Sequence, residues 1–165
     1  MTGALASDDF GAMTVLGMTD RDPALAPFDE LIGTWATEAT HALFDGIVLG
    51  STTFEWLDGG HFIIERSQND HELFPDAISV IGAPEAGEGL VIEYFDSRGV
   101  RRTYGLLLDR GVLRIWRDDP AFAERFSATL GHDSFEGQWR LAPHAGRLAG
   151  RPEGVLQPPR LVLNR

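Results

Sequence analysis

From Thr34 onward the chain is a succession of short runs of alternating apolar character, each closed by a turn, and few folds accept that pattern. About ten such runs lie between Thr34 and Arg165. Hairpin signals separate most of them: Asp45-Gly46, Gly59-Gly60, Asp96-Ser97-Arg98-Gly99, Arg110-Gly111 and His132-Asp133. No helices alternate with the strands, and no internal repeat recurs, so each strand is expected to pair antiparallel with the next. Two connections are longer, Asn69–Asp76 and Pro143–Pro159. The first strand opens on Gly33-Thr34-Trp35, which places a tryptophan as a plug at one end of a closed barrel. The expected fold is all-β: a single antiparallel up-and-down β-barrel of about ten strands.

A short N-terminal helix should precede it at the Trp35 end. Asp22 can cap, Pro23 suits the first helical position, Phe28, Leu31 and Ile32 make one apolar stripe, and Gly33 stops the helix. Residues 1–21 show no sustained period and are expected to form a flexible arm, in which Met13-Thr14-Val15-Leu16 is one candidate for an added strand. Residues 22–165 are the expected barrel domain.

Composition narrows the function classes. The chain has 165 residues, 43% of them hydrophobic, enough for one real core. A net charge of -11 argues against nucleic acid and anionic membrane as partners. Cysteine is absent, which removes disulfides, thiolate nucleophiles and sulfur metal sites and suits a reducing compartment. Met1 to Asp9 lacks the basic start and apolar run of a signal peptide, and no run is long enough for a membrane helix. A cytoplasmic protein is the expectation. Asp70-His71-Glu72 lacks a second half and reads as a loop, so no metal is expected. No catalytic serine elbow or phosphate-binding glycine loop is present.

Turn length sets register, and register sets which side chains face inward. Pairing across Asp45-Gly46 puts Trp35 opposite Trp56 and gives an inner face of Trp35, Thr37, Ala39, His41, Val48, Thr52, Phe54 and Trp56. Pairing across Gly59-Gly60 continues it through His61, Ile63, Glu65 and Ser67. A four-residue turn at Asp96–Gly99 places Val91, Glu93 and Phe95 inside with Arg102, Tyr104, Leu106 and Leu108, so Glu93 faces Arg102. Arg110-Gly111 adds Leu113, Ile115 and Arg117, with Tyr104 opposite Arg117. The last hairpin turns Phe126, Ala128, Leu130, Phe135 and Trp139 inward, while Trp116 faces out. Ionisable groups, His61 apart, then gather at the mouth away from Trp35, above an apolar floor, as in many ligand pockets.

The expected function is binding of a small, mostly apolar molecule with an anionic or carbonyl end. Arg102, Arg117 and Tyr104 would grip that end, with Glu93 beside them. Val91, Leu106, Leu108, Ile115, Phe126, Trp139 and Trp56 would line the body. His41 and Glu65 form a second candidate pair at the mouth. The alternative reading is a cofactor-independent isomerase or cyclase on a polyketide- or terpenoid-like substrate. Tyr104 would then stabilise developing charge, and His41 or Glu65 would move the proton. A haem or gas sensor using His41 is a further alternative. No cofactor is otherwise expected. A last strand left unpaired would offer its edge to a second copy, the route to a homodimer.

Gly33-Thr34-Trp35 followed by an antiparallel meander resembles the calycin superfamily of lipocalins, fatty-acid-binding proteins and nitrobindin-like barrels. Glu55-Trp56-Leu57-Asp58-Gly59-Gly60-His61-Phe62, Tyr94-Phe95-Asp96-Ser97-Arg98-Gly99 and Trp116-Arg117-Asp118 resemble, more narrowly, a family of uncharacterised bacterial lipocalin-like proteins. The resemblance spans about Phe28 to Leu141. It implies a basic residue of the last strand stacked on the closing tryptophan, here Arg165 or Arg160 on Trp35. Nitrobindin-like relatives hold haem through a late barrel histidine. Neither His132 nor His144 matches that position, so haem is not carried over.

Overall fold

The computed structural model describes residues 21–41, 44–72, 74–120, 123–141 and 160–165. The expected arm up to residue 20, with Met13–Leu16, lies outside the described residues, as do His144 and the whole Pro143–Pro159 connection.

Ten strands follow one short helix: β1 Gly33–His41, β2 Phe44–Trp56, β3 Ile63–Asn69, β4 Ala77–Gly82, β5 Leu90–Asp96, β6 Arg101–Asp109, β7 Val112–Arg117, β8 Glu124–Leu130, β9 Ser134–Leu141 and β10 Arg160–Asn164. Each pairs antiparallel with its successor, and β10 pairs with both β9 and β1, so the sheet closes. Closure satisfies the backbone groups that an edge would expose. It also removes the open edge on which pairing with a second copy was expected to rest.

The helix is a 3-10 helix over Pro23–Leu31. Its buried residues, Leu25, Phe28 and Leu31, recur every third position, and three residues per turn set them in one stripe. Asp22 caps it by accepting from the Ala24 N–H at 2.9 Å. That stripe joins Trp35, Phe135 and Leu163 in the core at the closed end. Trp35 is fixed on three sides. Its indole N–H donates to the Leu31 carbonyl at 2.7 Å, Phe135 meets it edge-on at 6.0 Å, and the Arg165 guanidinium lies 4.4 Å above its ring. The stacking residue is therefore Arg165, while Arg160 pairs with Glu136.

The register expectations divide three ways. Those across Arg110-Gly111, His132-Asp133 and the Gly59-Gly60 turn hold: Asp109 faces Val112, Leu130 faces Phe135, and Trp56 faces Ile63. Around the first hairpin the pairing is slipped by an even step. His41 faces Phe44, and beyond a register shift between Ala39 and His41 Trp35 lies opposite Thr52 rather than Trp56. An even slip keeps every side chain on its face, and Trp35, Thr37, Thr52 and Phe54 are all buried. At Asp96–Gly99 the error is odd. Asp96 N–H bonds the Val100 carbonyl, and Gly99 N–H bonds the Asp96 carbonyl. The loop is thus three residues, Ser97-Arg98-Gly99, with Gly99 at φ +81° in the left-handed region that three-residue hairpins need. One residue fewer flips all of β5. Leu90, Ile92, Tyr94 and Asp96 face inward, and Val91, Glu93 and Phe95 face outward.

Arg165 also donates to the carbonyls of Glu30 and Ile32, at 2.8 and 2.9 Å, tying β10 to the end of the helix. Replacement Arg165→Ala is expected to destabilise the barrel by about 1–2 kcal/mol. Arg165→Lys should recover only part, since it keeps the charge but not the two-pronged donor; urea unfolding midpoints measure both.

Candidate functional site

The end of the barrel opposite Trp35 carries a linked set of inward polar groups from β5 to β8. Arg102 and Tyr104 come from one strand, two residues apart, so both point inward. Tyr104 O–H donates to Glu124 Oε2 at 3.0 Å. An Arg102 N–H reaches the Tyr104 oxygen at 3.4 Å, and the same guanidinium nitrogen lies 3.5 Å from Glu124 Oε2. The three groups form a triangle. Arg117 stands on the neighbouring strand and pairs with Asp119 at 2.7 Å. The Arg102 and Glu124 side chains are only 26% and 14% exposed, so this is a partly desolvated ion pair rather than a surface one. Burial pushes the Glu124 carboxyl up, against the lowering pull of the Tyr104 hydroxyl and of the two arginines. Burial pushes the Tyr104 phenol up as well.

Aromatic rings brace the triangle. Tyr104 meets Tyr94 edge-on at 6.3 Å and Trp139 at 6.1 Å, and Trp139 tilts onto Phe126 at 5.0 Å. Phe126 needs the bare backbone of Gly137, where a Cβ would collide with its ring. Below lie Leu106, Leu113, Phe126, Ala128 and Phe135, all buried. Beside the triangle, Tyr94 O–H donates to Asp96 Oδ2 at 3.1 Å. The Arg98 side chain and the backbone N–H groups of Arg98 and Val100 converge on the same carboxylate. These donors, Arg98 foremost, hold the Asp96 carboxyl down at about 2. That knot locks the three-residue hairpin.

A further carboxyl lies deeper. Glu65 faces inward between Phe54 and Ser79, and Ser79 is hydrogen-bonded to it. Burial raises its carboxyl above the ordinary carboxylate range.

The remaining expected site residues distribute as follows. Leu106, Leu108, Ile115, Phe126 and Trp139 belong to the core or pack on it. Val91 and Glu93 do not line the interior. Glu93 faces outward, where it accepts from the Thr103 hydroxyl at 2.9 Å and pairs with Arg101. Trp56 lies at the helix end, donating to Asp29 at 3.0 Å with Arg21 over its ring. His41 and Glu65 are not brought together. His41 is exposed and set edge-on to Phe74 at 5.9 Å. Glu65 falls in the pairing row of Phe54 and Gly33, eight residues from His41 along β1, or about 26 Å of extended strand. His61 is exposed rather than inward. Among the described residues no histidine belongs to the buried interior, so a haem in the lumen has no histidine ligand there.

Glu124, Tyr94 and Asp96 escape the sequence reading. Glu124 was legible, since it stands two residues before Phe126 on an alternating strand. Tyr94 and Asp96 were hidden by the one-residue difference in loop length.

A separate concavity of about 740 Å³ lies on the outer face of β7–β9, among Arg114, Trp116, Arg125 and Arg140. Arg125 there is held by Asp118 and by the carbonyls of Arg117 and Glu124.

The chain is thus a closed ten-stranded antiparallel barrel with a polar cluster at one end and an apolar floor. No family model matches it, and no curated protein does. Among the described residues no helix is long and apolar enough to cross a membrane.

The titration behaviour follows from the signs. Glu65 and Glu124 bind protons more readily in the folded chain than in the unfolded one. The stability they contribute is full below the ordinary carboxylate value of 4.5 and declines as pH rises through their raised values. Asp96 acts in reverse: its contribution is present above 3.8 and is lost as pH falls towards about 2. Unfolding midpoints measured from acid to neutral pH should therefore fall on both sides. Glu65→Gln should flatten the decline on the neutral side, and Asp96→Asn the decline on the acid side.

Proposed function

We propose that this is a calycin-type barrel that binds one small, mostly apolar molecule in its interior, with an anionic or carbonyl end at Arg102, Tyr104 and Arg117. The observation that carries this reading is the inward triangle of Arg102, Tyr104 and Glu124, set above an apolar floor. Two arginines face two carboxylates there, and the Glu124 carboxyl is the more easily neutralised because burial raises it. A ligand carboxylate can then take over the Arg102 guanidinium as Glu124 takes up a proton, while a ligand carbonyl can accept from Tyr104 directly. The apolar body would lie against Leu106, Ile115, Phe126 and Trp139.

A second reading has its own observation, the Tyr104–Glu124 hydrogen bond. A phenol and a raised carboxyl in contact can pass a proton to and from an enolisable substrate, which is isomerase chemistry. His41 and Glu65, the partners expected for that step, stand apart from Tyr104, and Glu124 takes their place.

Titration of the protein with a medium-chain fatty acid, followed by tryptophan fluorescence and calorimetry, should show one saturable site. Arg102→Ala should weaken it about ten-fold or more, the loss of one charge-assisted hydrogen bond. Absence of saturable binding by any member of a carboxylate and ketone panel would overturn the reading. Native mass spectrometry of protein purified from its own host supplies the bound compound's class. Turnover that Tyr104→Phe cuts well beyond its effect on binding would favour the isomerase.

A further inference from the structure

Glu65 is the polar group that the proposed grip leaves unused. It is not isolated in the wall. Following the pairing from strand to strand, Glu65 stands beside Ser79, Ser79 beside Tyr94, and Tyr94 beside Arg102. Four adjacent strands, β3 to β6, thus present one continuous row of inward polar side chains. The row below it, Ile63, Ile81 and Ile92, is apolar until it reaches Tyr104. The opposite wall, β7 to β10, presents Leu113, Ile115, Phe126, Ala128, Leu161 and Leu163. Below Arg117 and Glu124, which stand at the mouth on that opposite wall, the interior is therefore polar along one line and apolar across from it.

The two ends of that line differ. Arg102 is a charged donor near the mouth. Glu65 lies where burial favours the neutral acid, which can donate as well as accept. Among the described residues Ser79 is the one side chain bonded to it, and one serine hydroxyl does not exhaust a carboxylic acid. Residue Glu65 keeps part of its surface uncovered. It shares the inward face of β3 with buried Ile63, so its carboxyl points into the barrel. Three inter-strand spacings separate Glu65 from Arg102, about 14 Å along the wall and less across the lumen.

We infer that the ligand is oxygenated at both ends: an anionic or carbonyl oxygen at Arg102 and Tyr104, and a hydroxyl or carbonyl oxygen at Glu65 and Ser79. This rests on the ligand-binding reading above and narrows its chemistry to ω-hydroxy- or ω-keto-acids and flat molecules with oxygen at opposite edges. A plain fatty acid would leave Glu65 facing its methyl end, forfeiting that hydrogen bond.

The test compares decanoate with ω-hydroxydecanoate by calorimetry, with the octanoate pair as a length control. The hydroxy acid of one pair should bind at least about five-fold more tightly than its parent, one ordinary hydrogen bond's worth. Glu65→Leu should abolish that preference while leaving the affinity for the parent acid in place, which also shows that the variant is folded. Glu65→Gln should keep most of the preference, because a neutral amide still donates and accepts. Equal binding of both acids in each pair would overturn the inference and leave the ligand-binding reading standing. No binding of any of the four acids, with none by the wider panel, would overturn both.

Discussion

Leu161 to Asn164 bond to β1 on one side and to β9 on the other, and with that pairing the sheet has no edge. Everything inside depends on it. An open ten-stranded sheet would leave its polar row and its apolar wall on a surface; closed, the same strands put them across a lumen from each other. The closing strand is short, and its ladder alone is modest. Arg165 fixes it further, stacking on Trp35 and binding two carbonyls at the end of the 3-10 helix. Helix, plug and last strand therefore act as one unit that seals the Trp35 end.

With one end sealed by apolar packing, polar groups can be spent at the other. The triangle of Arg102, Tyr104 and Glu124 is internally satisfied, and the aromatic rings of Tyr94 and Trp139 hold it in place. Such a cluster is costly to bury unless every charge is paired. The pairing explains how it persists. Glu65 sits apart from this cluster, between Phe54 and Ser79.

The barrel's faces were largely legible from alternation and turn chemistry, because both depend on neighbours in the chain. The first hairpin shows how forgiving that reading is. Trp35 pairs with Thr52 rather than Trp56, yet the inward set survives because the slip is even. At Ser97-Arg98-Gly99 the same logic fails. Asp96 can be read as the first turn residue or as the last strand residue, and only its bonds with Val100 and Gly99 decide between them. That single residue exchanged Glu93 for Tyr94 in the candidate site.

By itself the sequence determined an all-β barrel with Trp35 at one end and Arg102, Tyr104 and Arg117 inward, since period-two alternation and glycine-bearing turns are local properties. Only the tertiary structure decided that β10 closes the sheet, because Pro143–Pro159 carries no register information across to it. It alone placed Glu124 against Tyr104, separated His41 from Glu65, and aligned Glu65 with Arg102 in one row. Those relations depend on the accumulated stagger of several strands, and stagger is set by pairing between segments distant in the chain.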